Sequence, residues 1–158
     1  MFFSRSFSRP LVAAVGAAAC LAPLPAAAQS HLERMEVLSE QASALMNEAM
    51  IAQVPALEGN MPVPAWDEPM RAAYACVLAG YIDASSEAAV DGMLDDMEAM
   101  LETATAETLM SGETGESVQL PDGMSEEQAQ GLMQSCGVME VIMARMAASG
   151  AMQVMMDQ

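Results

Sequence analysis

Two groups of methionines have a spacing that could support chemistry. The chain has 18 methionines among 158 residues, and two triplets recur at intervals of three or four residues: Met93, Met97 and Met100, then Met139, Met143 and Met146. Thioether sulfurs are soft donors, so convergent triplets could bind Cu(I) or Ag(I). The same spacing is typical of a packed helical face, where an unbranched side chain fills irregular gaps. The pattern favours core packing, with metal binding and oxidant scavenging as the alternatives.

The only histidine of the chain, His31, gives a second metal hypothesis. If the chain is cleaved after Ala28, the mature protein begins with Gln29, Ser30 and His31. A free amine, two amide nitrogens and an imidazole in this order form a square-planar site that suits Cu(II) or Ni(II). Cyclisation of Gln29 or a capping role for Ser30 would compete with that site. Copper is therefore the alternative to our expectation that the protein has no cofactor.

The first 28 residues have the form of a secretory signal. Arg5 and Arg9 precede an apolar run over 11–24, and small residues follow at 26–28. The run is shorter than the about 20 apolar residues that a transmembrane helix needs. We therefore expect cleavage after Ala28 and a periplasmic or secreted domain over 29–158 that is not inserted in a membrane. Lipidation of Cys20, which follows three alanines, is the alternative.

The chain that remains after this cleavage is strongly acidic. It has 22 acidic residues against Arg34, Arg71 and Arg145 and no lysine, so its formal net charge is −19. Such a surface repels phosphate backbones and anionic lipid headgroups, so nucleic-acid binding and peripheral membrane binding are both disfavoured. A basic partner or a divalent cation is compatible with this charge.

The elements that must position these residues are all predicted to be helices. Apolar residues recur at helical spacing in four segments, over about 31–53, 68–83, 86–108 and 125–149. Pro- and Gly-rich loops are predicted over 54–67 and 109–124. No segment has a strand pattern. We therefore expect an all-α, four-helix bundle-like single domain.

Capping residues predict where these helices begin. Ser30 with Glu33 forms a capping box for the first helix, and Asp67 is a candidate N-cap for the second. Ser85 or Ser86 would cap the third helix. Ser125 with Gln128 forms a capping box for the fourth.

The two cysteines outside the signal, Cys76 and Cys136, are predicted to form one disulfide. An even number of cysteines in an exported chain is typical of disulfide pairing, whereas a redox-active pair usually has the C-x-x-C spacing that is absent here. Cys76 lies on a small-residue flank of the second helix, close to Gly80, where another helix could approach. The bridge would join the second and fourth helices.

Projected as one continuous helix, the fourth segment places Cys136, Met139, Met143 and Met146 on its inner face. The residues over 151–156 then point away from that face. Their methionines form either a frayed tail or a docking surface, so we include a homodimer among the candidate assemblies.

Catalytic machinery is scarce in this sequence. With one histidine, no lysine and no Gly-rich phosphate loop, it lacks most base and nucleophile combinations. We therefore predict an exported, non-enzymatic, chaperone-like binding or interaction protein with a methionine-rich, adaptable interior and an unidentified protein or apolar ligand as its partner. The alternative is a periplasmic Cu(I)- or Ag(I)-handling protein that uses the methionine clusters and His31.

Overall fold

The computed structural model describes residues 26–111 and 120–157. Within these ranges every regular element is helical: α1 (Ala26–Gln53), a 3₁₀-helix (Pro55–Leu57), α2 (Glu68–Ala84), α3 (Glu87–Thr103), α4 (Ala106–Ser111), α5 (Glu126–Ser135), α6 (Val138–Ser149) and α7 (Ala151–Met156). The all-α class is confirmed. None of the described helices has the length and apolarity that crossing a membrane requires. Most of the predicted signal, including Cys20, lies outside the described residues.

Three of the predicted caps are confirmed. The Asp67 carboxylate accepts a hydrogen bond of 2.9 Å from the backbone N–H of Met70 at the start of α2. Ser86 caps α3, and Ser125 begins α5 with the complete capping box that its pairing with Gln128 predicts. These bonds satisfy N–H groups that the first helical turn leaves without an intrahelical acceptor.

Two helix boundaries differ from the sequence prediction. Helix α1 begins at Ala26, upstream of the proposed Ser30 capping box, so that box does not mark its start. The third predicted helix, over 86–108, is divided, because Ala104 has an extended backbone and α4 begins at Ala106. Thr105 supports this second start, because its backbone N–H donates to the Thr108 hydroxyl and its own hydroxyl accepts from the Thr108 N–H.

The predicted fourth helix, over 125–149, is also divided. Helix α5 ends at Ser135, and Gly137 adopts a left-handed backbone conformation with φ of 71° before α6 begins. Glycine adopts this conformation without the steric cost that a Cβ would bring, which is why it commonly ends helices. The chain therefore changes direction at Gly137, and a projection that continues α5 through this residue gives the wrong buried face for α6.

The core lies where α1, α2 and α3 pack against one another. Its fully buried side chains include Val77 and Leu78 of α2 and Val90 and Leu94 of α3. Among the described residues, α5 packs on α2 and α6 but makes no close backbone contact with α1 or α3. In place of a closed four-helix bundle, the structure has three mutually packed helices, with α5 and α6 attached along α2.

The predicted disulfide is confirmed. Cys76 of α2 is bonded to Cys136 at the end of α5, with 5.7 Å between their Cα atoms. Gly80, one turn further along α2, faces the Leu132 side chain of α5, which lies where a Cβ would be. The disulfide and this close contact hold α5 against the same flank of α2.

The loop over 54–67 is held by side chains from distant helices. Arg145 of α6 donates hydrogen bonds of 2.6 Å to the backbone carbonyls of Val63 and Ala65. Leu57, in the 3₁₀-helix, is fully buried. The loop is therefore part of the packed structure.

Candidate functional site

An open groove of about 1,250 Å³ lies between α5 and the three-helix core. Its walls come from α1, α2, α3 and α5, and residues just before α5 and at the start of α6 complete it. The groove occupies the side on which α5 makes no backbone contact with α1 or α3 within the described chain. The open side of the incomplete bundle is therefore the candidate site.

Methionine is the most frequent residue type on the groove surface. Six methionines line it: Met35, Met93, Met97, Met124, Met133 and Met139. Met93 and Met97 are one turn apart on α3, so their side chains share a helical face. Unbranched, polarisable thioethers can repack around ligands of different shape. The surface is therefore suited to apolar groups without strict shape selectivity.

Helix α2 contributes two tyrosines and a valine to the groove. Tyr74, Val77 and Tyr81 follow one another at intervals of three and four residues, which places them on one helical face. Burial raises the pKa of Tyr74 and of Tyr81, and for Tyr81 the neighbouring Tyr74 raises it further. Both phenols are therefore neutral at physiological pH. Trp66 stacks on Tyr74 with ring centroids 4.5 Å apart, so the only tryptophan lies next to the groove.

The rim of the groove carries negative charge. Asp122, Glu126 and Glu140 contribute to its surface and are solvent-exposed. Gln130 and Gln134 of α5 add neutral polar groups. The described lining contains no arginine, lysine or histidine. The groove thus combines an apolar surface with an acidic edge.

The three arginines of the described chain bind elsewhere. The Arg34 guanidinium lies 2.7 Å from an Asp95 oxygen and 3.3 Å from a Glu98 oxygen, both on α3. Arg71 pairs with Glu36 of α1. The third, Arg145, is bonded to the loop over 54–67 as described above. No cation of the described chain is therefore left to neutralise the rim.

His31 belongs to the same α1–α3 contact as Arg34. Its side chain is only 5% exposed, and Nε2 lies 2.8 Å from Oδ1 of Asp91. The hydrogen bond to Asp95 is the largest factor that raises the pKa of Arg34, while partial burial opposes it. Several acidic residues of α3 therefore pair with α1, and His31 is held away from the methionine groove. A copper site at the N-terminus would use Nδ1 of this imidazole, which has no hydrogen-bond partner within the described chain, while Nε2 stays on Asp91.

The structure places three of the six methionines that were predicted as metal ligands in the groove and three outside it. Met93, Met97 and Met139 line the groove, whereas Met100, Met143 and Met146 do not. Met35, Met124 and Met133 complete the methionine lining but are absent from the predicted ligand set. The repeated apolar face of the first helix indicated Met35, and the apolar face of the α5 segment indicated Met133; no spacing pattern indicated Met124. Among the described residues, no three His, Cys, Asp or Glu side chains are grouped to hold a metal ion.

The predicted inner face of the fourth helix is wrong beyond Gly137. Met139 is 54% exposed and Met143 is 47% exposed, while Val138 is fully buried and Val141 and Ile142 pack against the core. The left-handed turn at Gly137 rotates the helix phase, so the branched side chains face inward. At the C-terminal end of α7, Met155 and Met156 are exposed and lie outside the groove lining.

Comparison of the chain with protein-family models, with curated proteins and with solved structures finds no match. The groove therefore remains the main indication of function.

Proposed function

We propose that this protein is an exported, non-catalytic binding protein that holds apolar groups of its ligand in the methionine-lined groove. The single observation that carries the proposal is that six methionines, the buried Tyr81 and the half-buried Tyr74 surround one open groove. Burial of apolar ligand surface there would provide the binding energy, and flexible thioethers would accommodate different shapes. The protein would act as a chaperone-like module. Its helices would form a bundle that is open on the groove side and has four helical units: α1, α2, α3 and the α5–α6 pair.

Export is part of the proposal. The form of residues 1–28 supports removal of a signal after Ala28, and a disulfide is typical of oxidising compartments outside the cytosol. We expect the exported protein to be periplasmic or secreted and to begin at Gln29. The intact mass of the purified chain measures where it begins. A mass that includes a lipid on Cys20 would instead support a membrane-anchored protein that begins at Cys20. Sedimentation of the same sample tests whether the protein forms a homodimer, one of the candidate assemblies.

A neutral fluorescent dye tests the groove. N-phenyl-1-naphthylamine, which is uncharged and brightens in apolar surroundings, is titrated into the purified oxidised protein. Replacing Met139 with glutamine removes apolar groove surface, and we expect it to weaken dye binding by about fivefold, equivalent to about 1 kcal/mol.

The matched control for this test is Met143→Gln. Met143 is on the same helix and has similar exposure, but it does not line the groove, so its replacement should leave the dye affinity unchanged. Absence of saturable dye binding would contradict the proposal, as would equal effects of the two substitutions.

The second candidate function is Cu(I) or Ag(I) handling. The observation that favours it is that Met93, Met97 and Met139 line one cavity together with three further thioethers, which are soft donors. Titration with Cu(I) in ascorbate against a coloured chelator measures binding. Stoichiometric binding that is lost on replacement of these three methionines with leucine would support copper handling.

The structure also supplies the control for the copper test. Met100, Met143 and Met146 belong to the same predicted triplets but lie outside the groove lining. Replacing them with leucine should leave Cu(I) binding at the groove intact. Absence of Cu(I) binding by the unaltered protein would exclude this second function.

A further inference from the structure

The volume of the groove indicates a ligand that presents several side chains. Small-molecule sites usually span about 300–1,000 Å³. The groove exceeds this range at about 1,250 Å³ and is open to solvent along the side where α5 leaves the three-helix core. Its walls are helical faces, and grooves between helices commonly receive the apolar face of another helix. A helix placed there would fill the space that a closed bundle would fill with its own chain.

The charges of the groove indicate which kind of helix would bind. Asp122, Glu126 and Glu140 stand at the edge of an apolar surface, and the described lining has no positive side chain. The arginines of the described chain pair with other groups. A cationic side chain of the ligand would therefore not compete with an arginine of the protein for the rim carboxylates. An anionic amphiphile such as a fatty acid would bring its headgroup to these carboxylates and be repelled.

We propose that the groove binds a basic amphipathic helix of a partner protein. The apolar face of that helix contacts the methionines and tyrosines, and its lysine or arginine side chains face Asp122, Glu126 and Glu140. This inference rests on the proposed binding function of the groove and adds the class of ligand. Methionine-lined surfaces favour such helices because they adapt to different apolar side chains, while the charged rim supplies orientation and selectivity.

Matched synthetic peptides test the proposal. A capped leucine–lysine peptide of about 18 residues, or five helical turns, presents one apolar and one cationic face. A second peptide has glutamate in place of every lysine, and a third has glutamine. Trp66, which stacks on the groove residue Tyr74, provides a fluorescence signal if the peptides contain no aromatic residue. Calorimetry gives the affinity independently.

We expect the lysine peptide to bind at least about tenfold more tightly than the glutamine peptide at low salt, because several exposed charge pairs each contribute a fraction of a kcal/mol. The glutamate peptide should bind most weakly. Raising the ionic strength should reduce these differences, because salt screens exposed charges.

Neutral variants locate the interaction on the protein. Combining Asp122→Asn, Glu126→Gln and Glu140→Gln should weaken binding of the lysine peptide by about tenfold and remove most of its advantage over the glutamine peptide. The control combines Glu48→Gln, Asp96→Asn and Glu102→Gln, which remove equal charge from exposed positions outside the groove lining. This control should change the affinity by no more than about twofold, because distant exposed charges are screened.

The outcomes separate this inference from the proposed function. Equal binding of the three peptides would overturn the inference but leave the apolar groove intact. Equal losses in the rim and control variants would also overturn it, because the lysine peptide would then bind the acidic surface in general. Saturable dye binding that depends on Met139, without peptide binding, would indicate a small apolar ligand and again overturn the inference. Failure of both dye and peptides to bind would overturn both proposals.

Discussion

Replacing Cys76 and Cys136 with alanine should lower the free energy of unfolding by about 4 kcal/mol. The disulfide joins residues separated by 60 positions. In the chain-entropy model, closing a loop of this length removes about 14 cal/mol/K from the unfolded state, or about 4 kcal/mol at 25 °C. Cys76 is exposed and Cys136 is half-buried, so truncation to alanine creates little cavity. The lost constraint on the unfolded chain should therefore dominate the effect.

Urea and thermal unfolding of the oxidised protein and of the double variant measure this loss. For a domain of about 130 residues, the entropy of unfolding at the midpoint is about 0.27 kcal/mol/K, so 4 kcal/mol corresponds to a melting temperature about 15 °C lower. The urea m-value should rise in the variant, since an unfolded chain without the cross-link exposes more surface.

The single variants provide the control for this reasoning. Either Cys76→Ala or Cys136→Ala removes the whole cross-link, so each single variant, measured with reductant present, should lose as much stability as the double variant. The unaltered protein should match them after reduction. Losses that add between the two positions, or a loss below about 1 kcal/mol in the double variant, would refute the chain-entropy explanation and assign the effect to local packing.

Two further predictions concern glycines in helices and tyrosines in the groove. Gly92→Ala in α3 should raise the unfolding free energy by about 1 kcal/mol, because nothing lies within 4 Å of the added Cβ, whereas Gly80→Ala should lower it by about 1 kcal/mol because Leu132 must move; equal shifts in urea unfolding would contradict this. Burial raises the pKa of Tyr74 and Tyr81 above the usual 10.0, so these phenols ionise at lower pH in the unfolded chain than in the folded protein. Their contribution to the free energy of unfolding is therefore complete below pH 10 and is lost at higher pH. The urea midpoint of unfolding should therefore begin to fall near pH 10 and fall further as the pH rises, and it should fall by less in the double variant Tyr74→Phe and Tyr81→Phe; the same fall in both proteins would show that other groups are responsible.

Local signals in the sequence predicted much of the helical framework. Asp67 and Ser125 are capping residues whose effect depends on the N–H groups two or three positions away, so the sequence identifies them without knowledge of packing. The end of α1 at Gln53 likewise follows from the nearby Pro55, whose ring and missing N–H prevent the helix from continuing. These features were predictable because each is complete within a few residues of chain.

The candidate site was predictable only in part. The repeated apolar spacing of the α3 segment indicated Met93 and Met97, and both line the groove. Met124 precedes α5 and belongs to no periodic stripe, so only packing of that segment against the core brings it into the groove. The acidic rim has the same cause, because Asp122 and Glu140 lie in different segments of the chain and come to line the same groove only in the folded protein.

The sequence by itself determined the helical class, most caps, the acidic charge and the pairing of Cys76 with Cys136. The tertiary structure decided which apolar face of each helix is buried and where the bundle stays open. Helical periodicity is a local property, and it continues only while the backbone remains helical. At Gly137 a single left-handed residue changes the phase, so Val138 becomes core and Met139 faces the groove. Only the packing of α5 and α6 on α2 determines which residues the side chains of α6 then contact.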